Sequence, residues 1–152
     1  MDCIFREMTE QDRGAVLEMM RVFYASPAVR NTGSDAVYQR DIDHCVGPDP
    51  CLTGYIFQRE RDILGYAMVA RSFSTEFGLP CLWLEDLYVR QGWRGGGIGS
   101  CFLQYLSDTY PDRLVRLEVE VENLGARRVY EKQGFASLPY VELYKRGAAA
   151  AD

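Results

Sequence analysis

"LYVRQGWRGGGIGSCFLQYL" (residues 87–106) opens like a strand, passes through a run of glycines and continues as an amphipathic helix. Gly95, Gly96 and Gly97 are consecutive, and Gly99 follows Ile98. A fixed glycine loses more backbone freedom than any other residue, so such a loop must hold something that offsets the loss. Helix N-termini present free N–H groups and the positive end of the helix dipole, and so bind anions. Glycines let the main chain approach a phosphate without a Cβ in the way. Arg94 adds a positive charge able to bridge phosphate oxygens. The spacing therefore predicts a diphosphate-binding loop.

Outward from this loop, Ile98, Cys101, Phe102, Tyr105 and Leu106 fall on one helix face, and Pro111 ends the helix. Val115, Leu117, Val119 and Val121 then alternate with Arg116, Glu118, Glu120 and Glu122, the period of a half-buried strand. Asn123 can cap a last helix and Gly134 can end it, with a final strand over residues 135–145. Upstream lie a strong strand at 82–89 and two strands at 54–60 and 62–74 joined by a turn at Arg61. An edge strand at 3–6 comes first, and Thr9 with Asp12 resembles a capping box before Val16, Met19, Met20 and Phe23 at helical spacing. Pro27 and Asn31-Thr32-Gly33-Ser34 break the chain, and a second helix runs from Ser34 to near Gly47. The order is β-α-α-β-β-β-α-β-α-β. Three consecutive strands make this a mixed α+β domain rather than a doubly wound one.

The 152 residues fit one domain, assigned to 1–146 with 147–152 as a frayed tail, and no repeat divides it. With 47% hydrophobic and 26% charged residues the chain folds as an ordinary globular protein. A net charge of −5 argues against a nucleic-acid partner. Cys3, Cys45, Cys51, Cys81 and Cys101 are scattered and His44 is the lone histidine, so neither a zinc site nor a disulfide framework is expected. Reduced thiols, with no signal peptide or long apolar run, point to the cytoplasm and away from membranes.

Two nucleotide motifs nearly fit. Gly92 and Gly97 have the P-loop glycine spacing, but Ile98 stands where a lysine is required. The Rossmann pattern fails because Ser100 replaces its third glycine, although Glu118 lies at about the right distance for a ribose contact. What does match, from Arg94 to Gly99, is R-x-x-G-x-G. A second segment, Asn123, Ala126, Tyr130, Gly134 and Phe135, matches N-x-x-A-x-x-x-Y-x-x-x-G-F. On both motifs the chain resembles the GNAT superfamily of acyl-CoA-dependent N-acetyltransferases.

That resemblance implies a mostly antiparallel mixed sheet of six or seven strands, about four helices and a V-shaped splay between the two central strands. Acetyl-CoA would be the acyl donor, with no metal. Arg94, Gly95, Gly96, Gly97, Ile98, Gly99 and Ser100 would hold its diphosphate. Leu87, Tyr88 and Val89 would pair with the pantetheine arm, which Asn123 and Tyr130 also contact. A homodimer is common in the family. "LEDLYV" ahead of the glycine loop also looks like the segment of diamine and polyamine acetyltransferases.

The chemistry assigns roles. An alkyl amine with a pKa of about 10.4 is neutral in about one molecule in 2,500 at pH 7, so transfer needs a base. Glu85 is the candidate, and Asp86 follows it. Successive strand residues face opposite ways, so both reach one cleft only across a β-bulge, which the family often has here. Tyr130 would return a proton to the leaving thiolate, and the Leu87 or Val89 N–H would stabilise the oxyanion. Glu85, Asp86, Tyr24 and Glu118 would bind the amine, whereas Glu120 and Glu122 read rather as a solvated face. Tyr38 and Tyr140 could line the same pocket. The expected acceptor is a small primary amine. The alternatives are a protein or peptide amine, in which case the cleft stands open with no cover from residues 71–80, and a CoA-binding sensor without catalysis.

Overall fold

The computed structural model describes residues 2–49 and 51–150. β1 (Ile4–Glu7) leads through a 3-10 turn into α1 (Arg13–Tyr24) and then α2 (Asp35–Val46). β2 (Leu52–Arg59), β3 (Asp62–Ser74) and β4 (Leu79–Val89) follow, then α3 (Ile98–Thr109), β5 (Leu114–Leu117) and α4 (Leu124–Lys132). The helix starts are set by local side chains. The Thr9 N–H donates to Asp12 Oδ2 at 2.8 Å, and Arg6 pairs with both Asp12 oxygens at 2.8 Å each. Ser34 Oγ accepts from the Val37 N–H at 3.4 Å, and Asn123 Oδ1 from the Ala126 N–H at 3.2 Å. Past α4, Gly134 takes φ +91°, the left-handed turn that a helix end favours.

The strands lie in the order β1-β2-β3-β4-β5, antiparallel except for the parallel β4–β5 pair. Alternate residues feed two cores, as the strand period demands. Ile56, Tyr66, Met68 and Tyr88 meet Val16, Met19, Met20, Tyr38 and Ile42 from α1 and α2. On the other face Tyr55, Phe57, Ala67, Val69, Leu82 and Leu84 meet Ile98, Phe102, Leu103 and Leu106 from α3. Phe102 sits at the centre of that layer, 4.8 Å from Phe57 and 5.3 Å from Phe5 between ring centroids. Burying such rings supplies most of the force that clamps α3, and with it the glycine loop, onto the sheet. No helix among the described residues is long and apolar enough to cross a membrane.

Three expectations need correction. The sheet has five strands among the described residues, not six or seven. β5 ends at Leu117, and residues 135–145 form no strand. Charge works against a ladder here, because Glu142 acts on Glu118 and pairing the two segments would set these carboxyls against each other. Pro139 removes one ladder donor as well. Val141, Leu143 and Tyr144 accordingly stay exposed, at 86%, 88% and 82%. The segment 71–80 also proves to be the end of the β3–β4 hairpin and not a cover over a cleft.

Candidate active site

The site begins at an irregularity in β4. Asp86 pairs with Met68 and Leu84 with Val69, which leaves Glu85 without a partner on β3. One extra residue inverts the side-chain alternation of everything after it. Leu82 and Leu84 therefore face α3, while Asp86 and Tyr88 face α1 and α2. β5 pairs with β4 only from Cys81 to Leu84. From Glu85 onward the two strands part, so bulge and splay start at the same residue.

Below the bulge Asp86 is 3% exposed. Its oxygens accept from Tyr24 Oη at 2.8 Å and Tyr66 Oη at 2.7 Å. Burial pushes its carboxyl up to about 6, against the pull of the two hydroxyls toward the charged form. The folded chain thus keeps a proton that the unfolded chain gives up as pH rises. This group favours folding below the unfolded carboxyl's pKa of 3.8 and costs about 3 kcal/mol above pH 6. Asp86 and Tyr24, both expected to touch the amine, are hydrogen-bonded to each other in the floor.

Glu85 itself is exposed, and its carboxyl is raised by partial burial, then by the charges of Asp86 and Glu142. Glu118 is raised to about 7 by partial burial, then by the nearness of Glu142 and the charges of Glu142 and Glu85. Asp41, on α2, is raised by burial and also feels Glu85. Asp41 and Tyr66 escaped the sequence reading. A signal for Asp41 existed, since it shares an otherwise apolar helix face with Tyr38, Ile42 and Cys45. Glu120 is engaged elsewhere. It is held low by the Glu122 N–H and by Arg30, whose Nη2 lies 2.5 Å from its carboxylate.

That Arg30–Glu120 pair crosses a cleft of about 690 Å³ lined also by Phe23, Ala28, Leu87, Tyr88 and Asn123. A second hollow of about 320 Å³ lies against Gly95, Gly97, Ile98, Gly99 and Ser100. Val89 and Arg94 line both, so the two spaces adjoin. Gly95 and Gly97 have φ +82° and +81°, a region that residues with a Cβ rarely enter. The first bond of α3 runs from the Cys101 N–H to the Gly97 carbonyl at 2.9 Å, and no side chain caps the helix. The N–H groups of Ile98, Gly99 and Ser100 therefore have no helical acceptor and point out of the helix start. Arg94 Nε donates to the Val89 carbonyl at 2.8 Å and its guanidinium lies 5.5 Å from the Tyr88 ring centroid, which fixes a cation beside those amides. Uncapped amides, glycines in left-handed turns and a braced arginine fit a diphosphate.

Tyr130 on α4 packs with Phe135, 5.9 Å between centroids, against the α3-side core that also includes Leu87, Val89 and Leu117. Burial raises its phenol above the usual 10.0, and its hydroxyl has no hydrogen-bond partner among the described residues. Asn123 both caps α4 and lines the larger cleft. The structure thus gathers Glu85, Asp86, Tyr24 and Glu118 around the bulge and the glycines around the second hollow. No hydrogen bond links Tyr130 to Glu85.

A splayed strand pair beside an anion-binding helix start is the framework of a transferase for a diphosphate-bearing acyl donor. The Acetyltransferase (GNAT) family model matches residues 16–135, and the chain belongs to that family. It is an N-acetyltransferase, and acetyl-CoA is its donor. The fold is shared with a possible acetyltransferase from Clostridium difficile 630, at TM-score 0.82 and 16% identity over 97% of this chain and 99% of that one. AAC(6')-Iy, in complex with the bisubstrate analogue CoA-S-monomethyl-acetylneamine, aligns at TM-score 0.75 and 16% identity over 97% and 100%. Ribosomal-protein-alanine N-acetyltransferase from Brucella melitensis biovar Abortus 2308 aligns at 0.69 and 17% over 95% and 99%. No curated protein matches the chain.

Proposed function

We propose that the chain transfers the acetyl group of acetyl-CoA to a primary amine of a small molecule, a polyamine or amino-acid-like amine, by direct attack. The observation that carries this reading is the place of Glu85. It is the unopposed residue of the bulge, at the point where β4 leaves β5, and no arginine or lysine among the described residues pairs with it. Asp41 and Glu118 add negative potential around it. Such a field favours a cationic amine on approach and at rest. Residues 71–80 leave the cleft uncovered, so the feature that suits a compact acceptor better than a folded protein is the Arg30–Glu120 pair, which narrows the cleft from the side of residues 25–34. The named relatives in the fold include both an enzyme holding an aminoglycoside-type analogue and one named for a ribosomal protein, so the acceptor must be read from the site.

In this reading Glu85, directly or through water, takes the proton that the ammonium must lose before it attacks. A main-chain N–H of Leu87 or Val89, on the edge of β4 that β5 leaves bare, stabilises the oxyanion. Tyr130 gives its phenolic proton to the departing thiolate. Retention of both Glu85 and Tyr130 favours an enzyme over a CoA-binding sensor. The test is release of CoA thiol from acetyl-CoA in the presence of monoamines, diamines, polyamines and short peptides. The highest kcat/KM is expected for small amines carrying a second positive charge. Turnover with peptides and none with any small amine would contradict the proposal.

A further inference from the structure

We propose that Asp86 is a positioning residue for this reaction. Its buried carboxylate, gripped by Tyr24 from α1 and Tyr66 from β3, locks the bulge that turns Glu85 toward the splay and sets a second negative charge beside it. The inference rests on the reading of Glu85 as the base.

The bonds select one register. Tyr24 and Tyr66 both lie on the α1 and α2 side of the sheet, where Tyr66 belongs to that core. A regular β4 would turn residue 86 to the α3 face, out of reach of either hydroxyl. The extra residue at Glu85 is what brings the carboxylate to them. Stability does not account for an acid in this place. Asp86 is 3% exposed, and the partners bonded to it are two neutral hydroxyls rather than a cation. A buried charge without an opposite charge is costly, and an amide of the same shape would cost less. The carboxylate therefore contributes something that an amide would not.

That contribution is charge next to Glu85. The groups around Glu85 are the carboxyls of Asp86 on its own strand, Asp41 on α2, Glu118 beyond β5 and Glu142 in the C-terminal segment, with the neutral phenol of Tyr24 on α1. Arg40 and His44 act on Asp41. Partial burial and then the Asp86 charge raise the Glu85 carboxyl, which leaves Glu85 able to accept a proton nearer to neutral pH than an isolated glutamate could.

The test is a ¹³C NMR titration of the side-chain carboxyls in the full chain. In Asp86→Asn the amide keeps the shape but carries no charge; its Oδ1 can accept from one tyrosine, while its NH2 can only donate to the other hydroxyl. The Glu85 midpoint is expected to move to lower pH, and an unchanged midpoint in the folded variant would overturn the inference. Tyr24→Phe is the second arm, since it removes a donor from the charged form. The Asp86 midpoint should then rise, and no movement would show that the hydroxyl does not hold the carboxylate. Failure of the underlying reading shows elsewhere, in an undiminished turnover of Glu85→Gln, which neither titration can mimic.

Discussion

Replacing Tyr130 by phenylalanine is expected to lower kcat about a hundredfold, while the affinity for acetyl-CoA changes by no more than about threefold. The prediction separates the hydroxyl from the ring. The ring packs against Phe135 and the α3-side core, and phenylalanine keeps those contacts. The hydroxyl has no partner among the described residues, so its removal leaves no buried group unsatisfied and the melting temperature should scarcely move. What is lost is a proton donor. Burial raises the phenol above its usual 10.0, so it stays protonated at neutral pH and can donate to the departing sulfur; because a thiol has a pKa of about 8.5 this transfer is uphill, and it completes as solvent reprotonates the phenolate. Steady-state kinetics with calorimetric titration of CoA would separate the two effects. A variant with full turnover would remove the acid role from Tyr130.

The second large effect is expected at Gly97. Gly97→Val should weaken CoA binding by about 30- to 100-fold, the cost of one or more charge-assisted hydrogen bonds. Gly97 sits at φ +81°, and nothing of the protein lies within 4 Å of the position that a Cβ would take. The harm is therefore not a clash with the fold. A β-branched residue resists the left-handed conformation, and relaxation of that strain would turn the amides at the start of α3 away from a common point. Gly92→Ala is the control, because Gly92 has open space and no positive φ. Calorimetry on both variants should find the loss in the first and near wild-type affinity in the second. Equal affinities would mean that the loop conformation is irrelevant to the donor.

The elements that could be read in the sequence are those decided by near neighbours. Thr9 with Asp12, Ser34 and Asn123 start helices where their side chains can reach free amides, and Gly134 stops one. The bulge is implied by the family resemblance, and it matters because Glu85 and Asp86 can reach one cleft only if the alternation breaks between them. It does break, but the outcome places Asp86 under the floor with Tyr24 and Tyr66, partners 62 and 20 residues away in the chain. No local pattern announces such bonds. Asp41 was hidden for a related reason, because a carboxylate on an apolar helix face gains meaning only once the opposite wall is known. The final strand failed differently. The alternation around Val141 and Leu143 was real, but strand pairing needs a compatible partner, and Glu118 meets Glu142 there. Periodicity predicts which residues can form a strand, and cross-strand charge decides whether they do.

The account stands or falls on where the donor's diphosphate lies, and a crystal structure of the chain with coenzyme A measures that directly. Diphosphate oxygens are expected about 2.7–3.2 Å from main-chain nitrogens of residues 95–100, with the sulfur at the splay of β4 and β5 beside Tyr130. An ordered coenzyme whose diphosphate lies away from the start of α3 would contradict it.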